Sequence, residues 1–306
     1  MLTKMNKIPI PPFVRLTKEL AWCIGFYLAE GNKTKDYIGV SNCNINLIER
    51  FKNVMEEVFK IENSQWKVHI KTSDKNIDAV ERKWRDFLGT NNSNALYTKY
   101  ANYDNVELRF NSRKFANFFN KFLEKSVYEI KTNKNMTVSF LDGYEAGDGS
   151  VIQRRGFLYG IAFTTKSELY KNLIVKMFEL HYGIKPRVRL TKKCFGIEIC
   201  GIKIMTKLIL DRHFNSHAVK WSTLINSYVK KQYVRSHVRY WKALKNGPKN
   251  VLDISGLINR SHWSVRDALN ADHRIGLIDV VTKKPKSYKL SPAGEQLIGI
   301  LEGEEM

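Results

Sequence analysis

The sequence contains few cysteines and no long apolar segment. Four cysteines in 306 residues are too few for a disulfide framework, which favours a reducing compartment. The longest uncharged apolar stretch, Leu20 to Ala29, is too short to cross a bilayer, and the N-terminus lacks the apolar segment of a secretory signal. We therefore expect an intracellular protein, in the cytoplasm and nucleoid or in an organellar matrix, with no membrane partner.

Acidic residues are also scarce relative to basic ones. The chain has 51 Lys and Arg against 30 Asp and Glu, a formal net charge of +21. Hydrophobic residues make up 43% and aromatic residues 12%, so the chain is able to build packed cores and is not a disordered polyelectrolyte. A folded chain this basic repels itself, and a polyanion relieves that repulsion. Nucleic acid is the leading candidate partner.

An internal repeat organises the first three quarters of the chain. Gly25-Phe-Tyr-Leu-Ala-Glu30-Gly31 and Gly143-Tyr-Glu-Ala-Gly-Asp148-Gly149 share a pattern that ends in an acid and a glycine, and Asp148 lies 118 residues after Glu30. Each copy continues with alternating strand patterns and amphipathic helical stretches. The sequence therefore predicts an α+β fold of two pseudo-symmetric modules, each with the element order αββαββα.

We predict three segments with these boundaries. Residues 1–130 form the first module, residues 131–245 form the second module and end in one long helix from residue 217, and residues 246–306 form a small C-terminal domain. Asn246-Gly-Pro248 marks the break before that last segment.

The acid at the end of each repeat motif requires an explanation. A carboxylate at a helix C-terminus faces the negative end of the helix dipole, which is mildly unfavourable. Glu30 and Asp148 occupy this position twice, at matched places in the repeat. A divalent cation would offset the repulsion at both positions.

The two motifs resemble the nine-residue motif of the LAGLIDADG homing endonucleases. Cys23-Ile-Gly-Phe-Tyr-Leu-Ala-Glu30-Gly31 and Leu141-Asp-Gly-Tyr-Glu-Ala-Gly-Asp148-Gly149 match it in register, and the resemblance covers roughly residues 12 to 235. It implies a monomer whose two motif helices pack at a central interface beneath a saddle of β-sheets. It further implies site-specific cleavage of double-stranded DNA, with Glu30 and Asp148 holding Mg²⁺ or another divalent cation such as Mn²⁺. Glu30 stands where aspartate is more usual in the family.

The family also places lysines near its catalytic centre. By resemblance, Lys220 in His217-Ala-Val-Lys220-Trp221 matches such a position, and Lys125 is a poorer match in the first half. A lysine there would stabilise developing negative charge or polarise a water molecule.

Charged residues at a spacing of two predict one basic face on each sheet, suited to contact DNA in its major groove. Residues just after each motif are also placed to contact phosphates or bases. The predicted DNA contacts of the two modules are Lys33, Lys35, Lys67, His69, Lys71, Arg109, Gln153, Arg154, Arg155, Arg187, Arg189 and Lys192.

The C-terminal segment resembles a winged helix-turn-helix. Two helices, a Lys-rich hairpin and a last helix starting at Ser291-Pro292 follow one another. The predicted DNA contacts are His262, Ser264 and Arg266 on the recognition helix, with Lys283 and Lys284 in the wing. A helical cap that packs on the preceding helix without contacting DNA is the alternative.

Two other functions remain open at this point. Related scaffolds serve as transcription regulators after losing the acids, and basic saddles also bind folded RNA, as in maturases that assist intron splicing. Intact Glu30 and Asp148 favour the endonuclease over the regulator. We find no flanking intein residues and expect a free-standing or intron-encoded protein.

Overall fold

The structure is a computed structural model that describes residues 11, 13–32, 34–191 and 193–303. It contains helices and antiparallel-dominated sheets, which confirms the predicted α+β class. None of the helices in the described ranges is long and apolar enough to cross a membrane. Lys33 and Lys192, two of the predicted DNA contacts, lie outside the described residues.

The first repeat contains the following elements, in chain order: α1 (Lys18–Glu30), β1 (Ile38–Asn42), α2 (Ile45–Phe59), β2 (Trp66–Thr72), α3 (Ile77–Leu88), β3 (Ser93–Tyr97), β4 (Asn105–Phe110) and α4 (Arg113–Thr132). Its sheet has the strand order β1-β4-β2-β3, with β3 parallel to β2 and the other pairs antiparallel. Buried aromatic side chains from β2, β4, α2 and α4 pack behind it. Phe115 contacts Phe59 and Phe110 edge to face, and Trp66 packs at a tilt against Phe110.

The second repeat contains α5 (Lys134–Asp148), β5 (Gly149–Arg154), β6 (Phe157–Thr165), α6 (Glu168–Tyr182), β7 (Arg187–Leu190), β8 (Phe195–Cys200) and α7 (Ile202–Leu210). This succession is the predicted αββαββα order. The strand order is β5-β6-β8-β7, so β6, β8 and β7 correspond to β1, β4 and β2 of the first sheet.

The first repeat departs from the predicted order. The strand equivalent to β5 is reduced to a single bridge between Gly31 and Val40, and α3 with β3 is inserted between β2 and β4. The inserted helix is amphipathic: Val80, Trp84 and Leu88 are its buried residues, and Asn76 caps its N-terminus. The predicted αββαββα order therefore describes the second repeat, whereas the first repeat adds α3 and β3 and lacks a full first strand.

The rest of the chain contains α8 (Ala218–Val229), α9 (Gln232–Leu244), β9 (Lys249–Asn250), α10 (Val251–Ile258), α11 (His262–Arg274), β10 (Ile278–Lys283), β11 (Lys286–Leu290) and α12 (Pro292–Glu302). The long helix predicted from residue 217 to residue 245 is two helices, because the chain turns at Lys230 and Lys231. Strands β10, β11 and β9 form a small sheet beside α10 and α11.

The contacts between residues divide the chain into two compact units. The first comprises residues as far as Ser150, Phe163–Ile197 and Phe214–His217, and the second comprises Val151–Ala162, Glu198–His213 and the residues from Ala218 onward. Both motif helices belong to the first unit. The predicted segment boundaries after residues 130 and 245 stay predictions, as does the arrangement of the two sheets as one saddle.

Candidate active centre and nucleic-acid interface

The two motif helices pack directly against each other, and glycine makes this approach possible. A Cβ on Gly25 would lie 1.9 Å from the carbonyl oxygen of Phe140, and a Cβ on Gly143 would lie 2.1 Å from that of Trp22. Gly25 and Gly143 are 118 positions apart, as are Trp22 and Phe140. Residues at the same position in the two repeats therefore make equivalent contacts across the α1–α5 interface.

The same interface brings Glu30 close to the end of α5. A Cβ on Gly147, the residue before Asp148, would lie 2.7 Å from Cγ of Glu30 and 3.2 Å from its Oε1. Gly147 thus keeps open a space beside the Glu30 carboxylate that any larger residue would fill. The structure places both predicted acids at the adjoining C-terminal ends of α1 and α5, with Glu30 half-buried and Asp148 exposed.

Both helices end in the same backbone geometry. Gly31 has φ −76° and ψ 140°, Gly149 has φ −79° and ψ 150°, and each amide donates to the carbonyl oxygen four residues earlier. These angles are open to any residue, so the motif glycines are not left-handed helix caps. They are required because a Cβ on Gly31 would lie 2.2 Å from the Tyr27 carbonyl oxygen.

Asn42 supports the first acid, although neither motif predicted it. Its Nδ2 donates to Oε1 of Glu30 at 2.9 Å, and its Oδ1 accepts from the amide of Asn44 at 2.8 Å. The carboxamide is thereby oriented by the start of α2. The only feature of the sequence that could have pointed to Asn42 is its position at the end of β1, close before the N-cap of α2.

Two further acids of α5 bind a distant segment of the chain. Glu145, which is fully buried, accepts from the amide of Phe214 at 2.9 Å. Asp142 accepts from the amide of Ser216 at 3.1 Å and from its hydroxyl. These carboxylates hold residues 214–217 against α5, so acids inside the second motif have a structural role.

The two predicted catalytic lysines lie on helices other than the motif helices. Lys125 is exposed on α4 in the first compact unit. Lys220 is half-buried on α8 and belongs to the second unit, whereas Glu30 and Asp148 belong to the first. Their catalytic roles stay predictions.

The basic face of the first sheet has the predicted alternation. Along β2 the odd-numbered Lys67, His69 and Lys71 lie on the open side while Trp66, Val68 and Ile70 are buried. Lys67 pairs with Arg109 of β4 and His69 pairs with Glu107. We refer to Lys67, His69, Lys71 and Arg109 as the first basic face.

One acid, Glu107, partly neutralises the positive charge of the first basic face. Glu107 forms an ion pair with Arg109, accepts from Asn32, and accepts from the Tyr37 hydroxyl at 3.3 Å. The Arg109 guanidinium also lies over the Tyr37 ring at 4.7 Å. Arg109, predicted to contact DNA, is therefore already engaged within the protein. Burial, together with the nearby charges of Arg109 and Lys67, lowers the pKa of His69 despite the opposing effect of Glu107.

The second sheet presents its cations differently. Strand β7 is exposed along its whole length, so Val188 and Leu190 are not buried beneath Arg187 and Arg189 as the alternation predicted. Gln153 and Arg154 are exposed at the end of β5, and Arg155 is exposed on the turn that follows it. The Arg154 guanidinium lies 3.5 Å from the centre of the Tyr159 ring. Lys35 is likewise exposed in the loop before β1.

In the C-terminal segment, α11 carries the predicted contacts on its open side. His262, Ser264 and Arg266 are exposed, whereas Val265 and Leu269 are buried. Arg266 lies over the exposed ring of Trp263 at 4.2 Å. Lys284 is exposed at the β10–β11 turn, and Lys283 is the last residue of β10.

Among the described residues, no group of three or more His, Cys, Asp and Glu side chains is arranged to hold a metal ion. The donor set at the motif ends is smaller, with two carboxylates. Carboxylate oxygens are the donors that Mg²⁺ and Mn²⁺ take, so the chemistry of these two side chains fits a divalent cation.

No family model matches this chain, and no curated protein matches it either. Among solved structures, it is similar to the N-terminal LAGLIDADG domain of DUF199/WhiA, with 16% identity, a TM-score of 0.41 and coverage of 67% of this chain and 86% of that one. It is similar to full-length DUF199/WhiA from Thermatoga maritima, with 14% identity, a TM-score of 0.42 and coverage of 88% and 94%. Variants of the homing endonuclease I-DmoI match with 14% identity, a TM-score of 0.42 and coverage of 65% and 97%. Similarities at this level do not identify the activity of this chain.

Proposed function

We propose that this chain is a site-specific endonuclease that cleaves double-stranded DNA with a divalent cation. The observation that carries the proposal is the pair of acids, Glu30 and Asp148, at the adjoining ends of two helices related by the repeat. One acid from each half is the arrangement needed to act on two strands of a duplex. The first basic face supplies positive charge in the same compact unit.

Each residue at the centre has a distinct task in this proposal. Glu30 and Asp148 would hold Mg²⁺ or Mn²⁺, which activates water and neutralises charge on the leaving oxygen when bound. Asn42 fixes the orientation of the Glu30 carboxylate, and Gly147 keeps the adjoining space open. Lys125 and Lys220 are proposed to stabilise developing negative charge.

The DNA-binding surface is proposed to have two parts. The first part consists of the predicted contacts on both sheets and their loops, including Lys33 and Lys192. The second part is the C-terminal segment from residue 246, in which α10, α11 and the β10–β11 hairpin follow the order of a winged helix-turn-helix. The alternative to this second part is a helical cap that does not contact DNA.

The test uses the isosteric variants Glu30→Gln and Asp148→Asn. Wild-type protein is incubated with a library of randomised duplexes and Mg²⁺ or Mn²⁺, and the cleaved ends are sequenced to define the target. Each variant should lose cleavage of that target while binding it within about threefold of wild type, because phosphate contacts supply most of the affinity. Circular dichroism confirms that the variants are folded.

Two outcomes would contradict the proposal. Cleavage by the double variant would show that these acids do not carry the reaction. Sequence-specific binding by the wild type without cleavage in either metal would favour a transcription regulator, and selective binding of folded RNA would favour a maturase.

A further inference from the structure

A pocket beside the first basic face is lined by tyrosines that the fold itself does not need. From the end of β3 through the segment that joins it to β4, a tyrosine occurs at every third position: Tyr97, Tyr100 and Tyr103. Next to it is a cavity of about 510 Å³, a size that suits a small ligand or a single nucleotide. Its lining residues are Cys43, Lys71, Thr98, Tyr100, Ala101, Asn102, Tyr103 and Asn105.

The tyrosine rings are unusually exposed. Tyr100 is 81% exposed and Tyr103 is 76% exposed, whereas Trp66 of β2 and Phe110 of β4 are buried. A tyrosine ring left in water contributes little to folding and remains available for contact with a ligand. The exposed rings therefore indicate a binding role.

The segment that carries these rings is held in place by the sheet and by α3. The amide of Thr98 donates to the carbonyl oxygen of Thr72 at 2.7 Å, which continues the β2–β3 pairing by one residue. At the other end, Asp104 accepts from Nε1 of Trp84 at 3.1 Å. A ligand that stacks on the rings would thus not have to order a mobile loop, which lowers the entropic cost of binding.

The charges around the pocket indicate a negatively charged ligand. Lys71 lines it, and Nζ of Lys99 lies 5.1 Å from the centre of the Tyr100 ring. Among the lining residues that the structure describes there is no acid. Asp104, which lies between the lining residues Tyr103 and Asn105, is engaged by Trp84 and by Lys83. Asn102 and Asn105 add amide donors and acceptors of the kind that recognise the polar edges of nucleobases.

These features together fit an unpaired nucleobase. A stacked and paired base offers no free face, whereas an unpaired base stacks on an exposed aromatic ring. Lys71 belongs both to the pocket and to the first basic face, so the backbone of a strand bound on that face would lead into the pocket.

We propose that the Tyr100–Tyr103 pocket binds one unpaired nucleobase of the nucleic acid strand that lies on the first basic face. The proposal rests on the nucleic-acid binding described under Proposed function, and it extends that function to recognition of a single-stranded or distorted position. No base contact of this kind is needed for the cleavage chemistry.

The test measures stacking directly with 2-aminopurine, a fluorescent base whose emission is quenched on stacking. Full-length protein is titrated into three probes: the cleavage target as a blunt duplex, the same duplex with a three-nucleotide 2-aminopurine overhang, and a short single-stranded DNA containing the base. The single strand is also prepared as RNA. Wild type should quench the overhang and single-strand probes and bind the overhang duplex more tightly than the blunt one.

The variants separate stacking from other contributions. Tyr100→Ala combined with Tyr103→Ala should weaken binding of the overhang duplex by about tenfold, in keeping with the usual cost of losing one stacked base. Binding of the blunt duplex should stay within about twofold. The double Phe variant should restore quenching, because it keeps both rings. Tyr128→Ala, which removes an exposed ring on α4, is the matched control and should behave as wild type.

Cys43 provides a second measurement, because its exposed thiol lines the pocket. The overhang duplex should slow alkylation of Cys43, and the blunt duplex should not.

The outcomes distinguish the two proposals. Failure of the blunt duplex to bind would contradict the proposed function, while quenching of the single strand would still support the pocket. Absence of quenching with every single strand, or equal overhang binding by the Ala variant, would overturn the pocket. Quenching confined to RNA would identify an RNA strand as its ligand.

Discussion

At the scale of single residues, the glycines of the α1–α5 interface make the sharpest prediction. Gly25→Ala or Gly143→Ala would force a Cβ into a facing backbone carbonyl, which cannot move without separating the helices. We expect a loss of about 2–4 kcal/mol in the free energy of unfolding, in or above the upper part of the usual range for overpacking. Urea denaturation measures it.

Gly256→Ala is the matched control for this experiment. Gly256 lies in α10, and apart from its chain neighbours and the backbone of its own helix no heavy atom lies within 4 Å of the position that an alanine Cβ would take. Alanine should therefore be neutral or stabilising by up to about 1 kcal/mol. Equal effects at Gly25 and Gly256 would show that the close approach of the motif helices is wrong.

His69 gives a pH dependence to binding. Its pKa is lowered in the free protein by burial and by Arg109, so it is uncharged at neutral pH. A bound phosphate backbone would favour the protonated ring and raise that pKa, so DNA binding should take up a proton. Affinity should therefore rise as the pH falls from 8 to 6, by about three- to tenfold. The measurement is the dissociation constant for the target across this range, without metal.

His69→Gln keeps a hydrogen-bonding side chain but cannot titrate, and it should flatten this profile. An unchanged pH dependence in His69→Gln would assign the effect to another group and place His69 away from the phosphates.

At the scale of elements, local sequence patterns predicted which face of a strand is buried, but the repeat did not predict the inserted helix. The alternation of Lys67, His69 and Lys71 with Val68 and Ile70 was predictable because strand period and burial are both local. The repeat did not predict α3 because the second half has no counterpart to it. The residues of α3 nonetheless carry a helical pattern, with Val80 and Trp84 four positions apart.

Contacts between distant elements could not be read from the sequence. Nothing in the second motif indicates that Glu145 binds the amide of Phe214, because 69 positions separate them. Asn42 was missed for a related reason, since its role depends on where β1 ends relative to α1. The position of Glu30 and Asp148 at matched helix ends, in contrast, was predictable because the repeat marks it twice.

The segment held by α5 gives a prediction at this scale. Glu145→Ala would leave the buried amide of Phe214 without its acceptor, and we expect a loss of about 1–3 kcal/mol in the free energy of unfolding. Glu145→Gln retains an acceptor oxygen and should lose less. Thermal denaturation of both variants tests this, and equal losses would argue against the hydrogen bond as the cause.

At the scale of the whole molecule, the net charge of +21 predicts a steep salt dependence of binding. Each neutralised phosphate releases counterions, so the log of the association constant should fall with the log of the salt concentration with a slope steeper than about −4. Titration with NaCl at fixed Mg²⁺ gives the slope. A slope of roughly −1 or −2 would mean that the cations do not face the duplex.

The C-terminal segment occurs once, whereas the motif-bearing module occurs twice, so its contribution to the footprint on DNA should be one-sided. Arg266→Ala combined with Lys284→Ala removes two exposed cations from α11 and from the β10–β11 turn. Because neither residue lies in a motif helix, cleavage at saturating protein should be unchanged. Affinity should fall about tenfold, since linked modules make the second contact intramolecular and its loss weakens binding without altering chemistry.

The matched control replaces Arg274 and Lys289, two exposed cations of the same segment, and changes the net charge equally. Footprinting of both double variants on the cleavage target compares them directly. The Arg266 and Lys284 variant should lose protection on one flank only, and the control should keep the full footprint. If the two double variants gave identical footprints, the positions of Arg266 and Lys284 would not matter to DNA binding. The segment would then be a helical cap. Loss of protection on both flanks would instead mean that α11 and the sheet faces bind DNA as one surface.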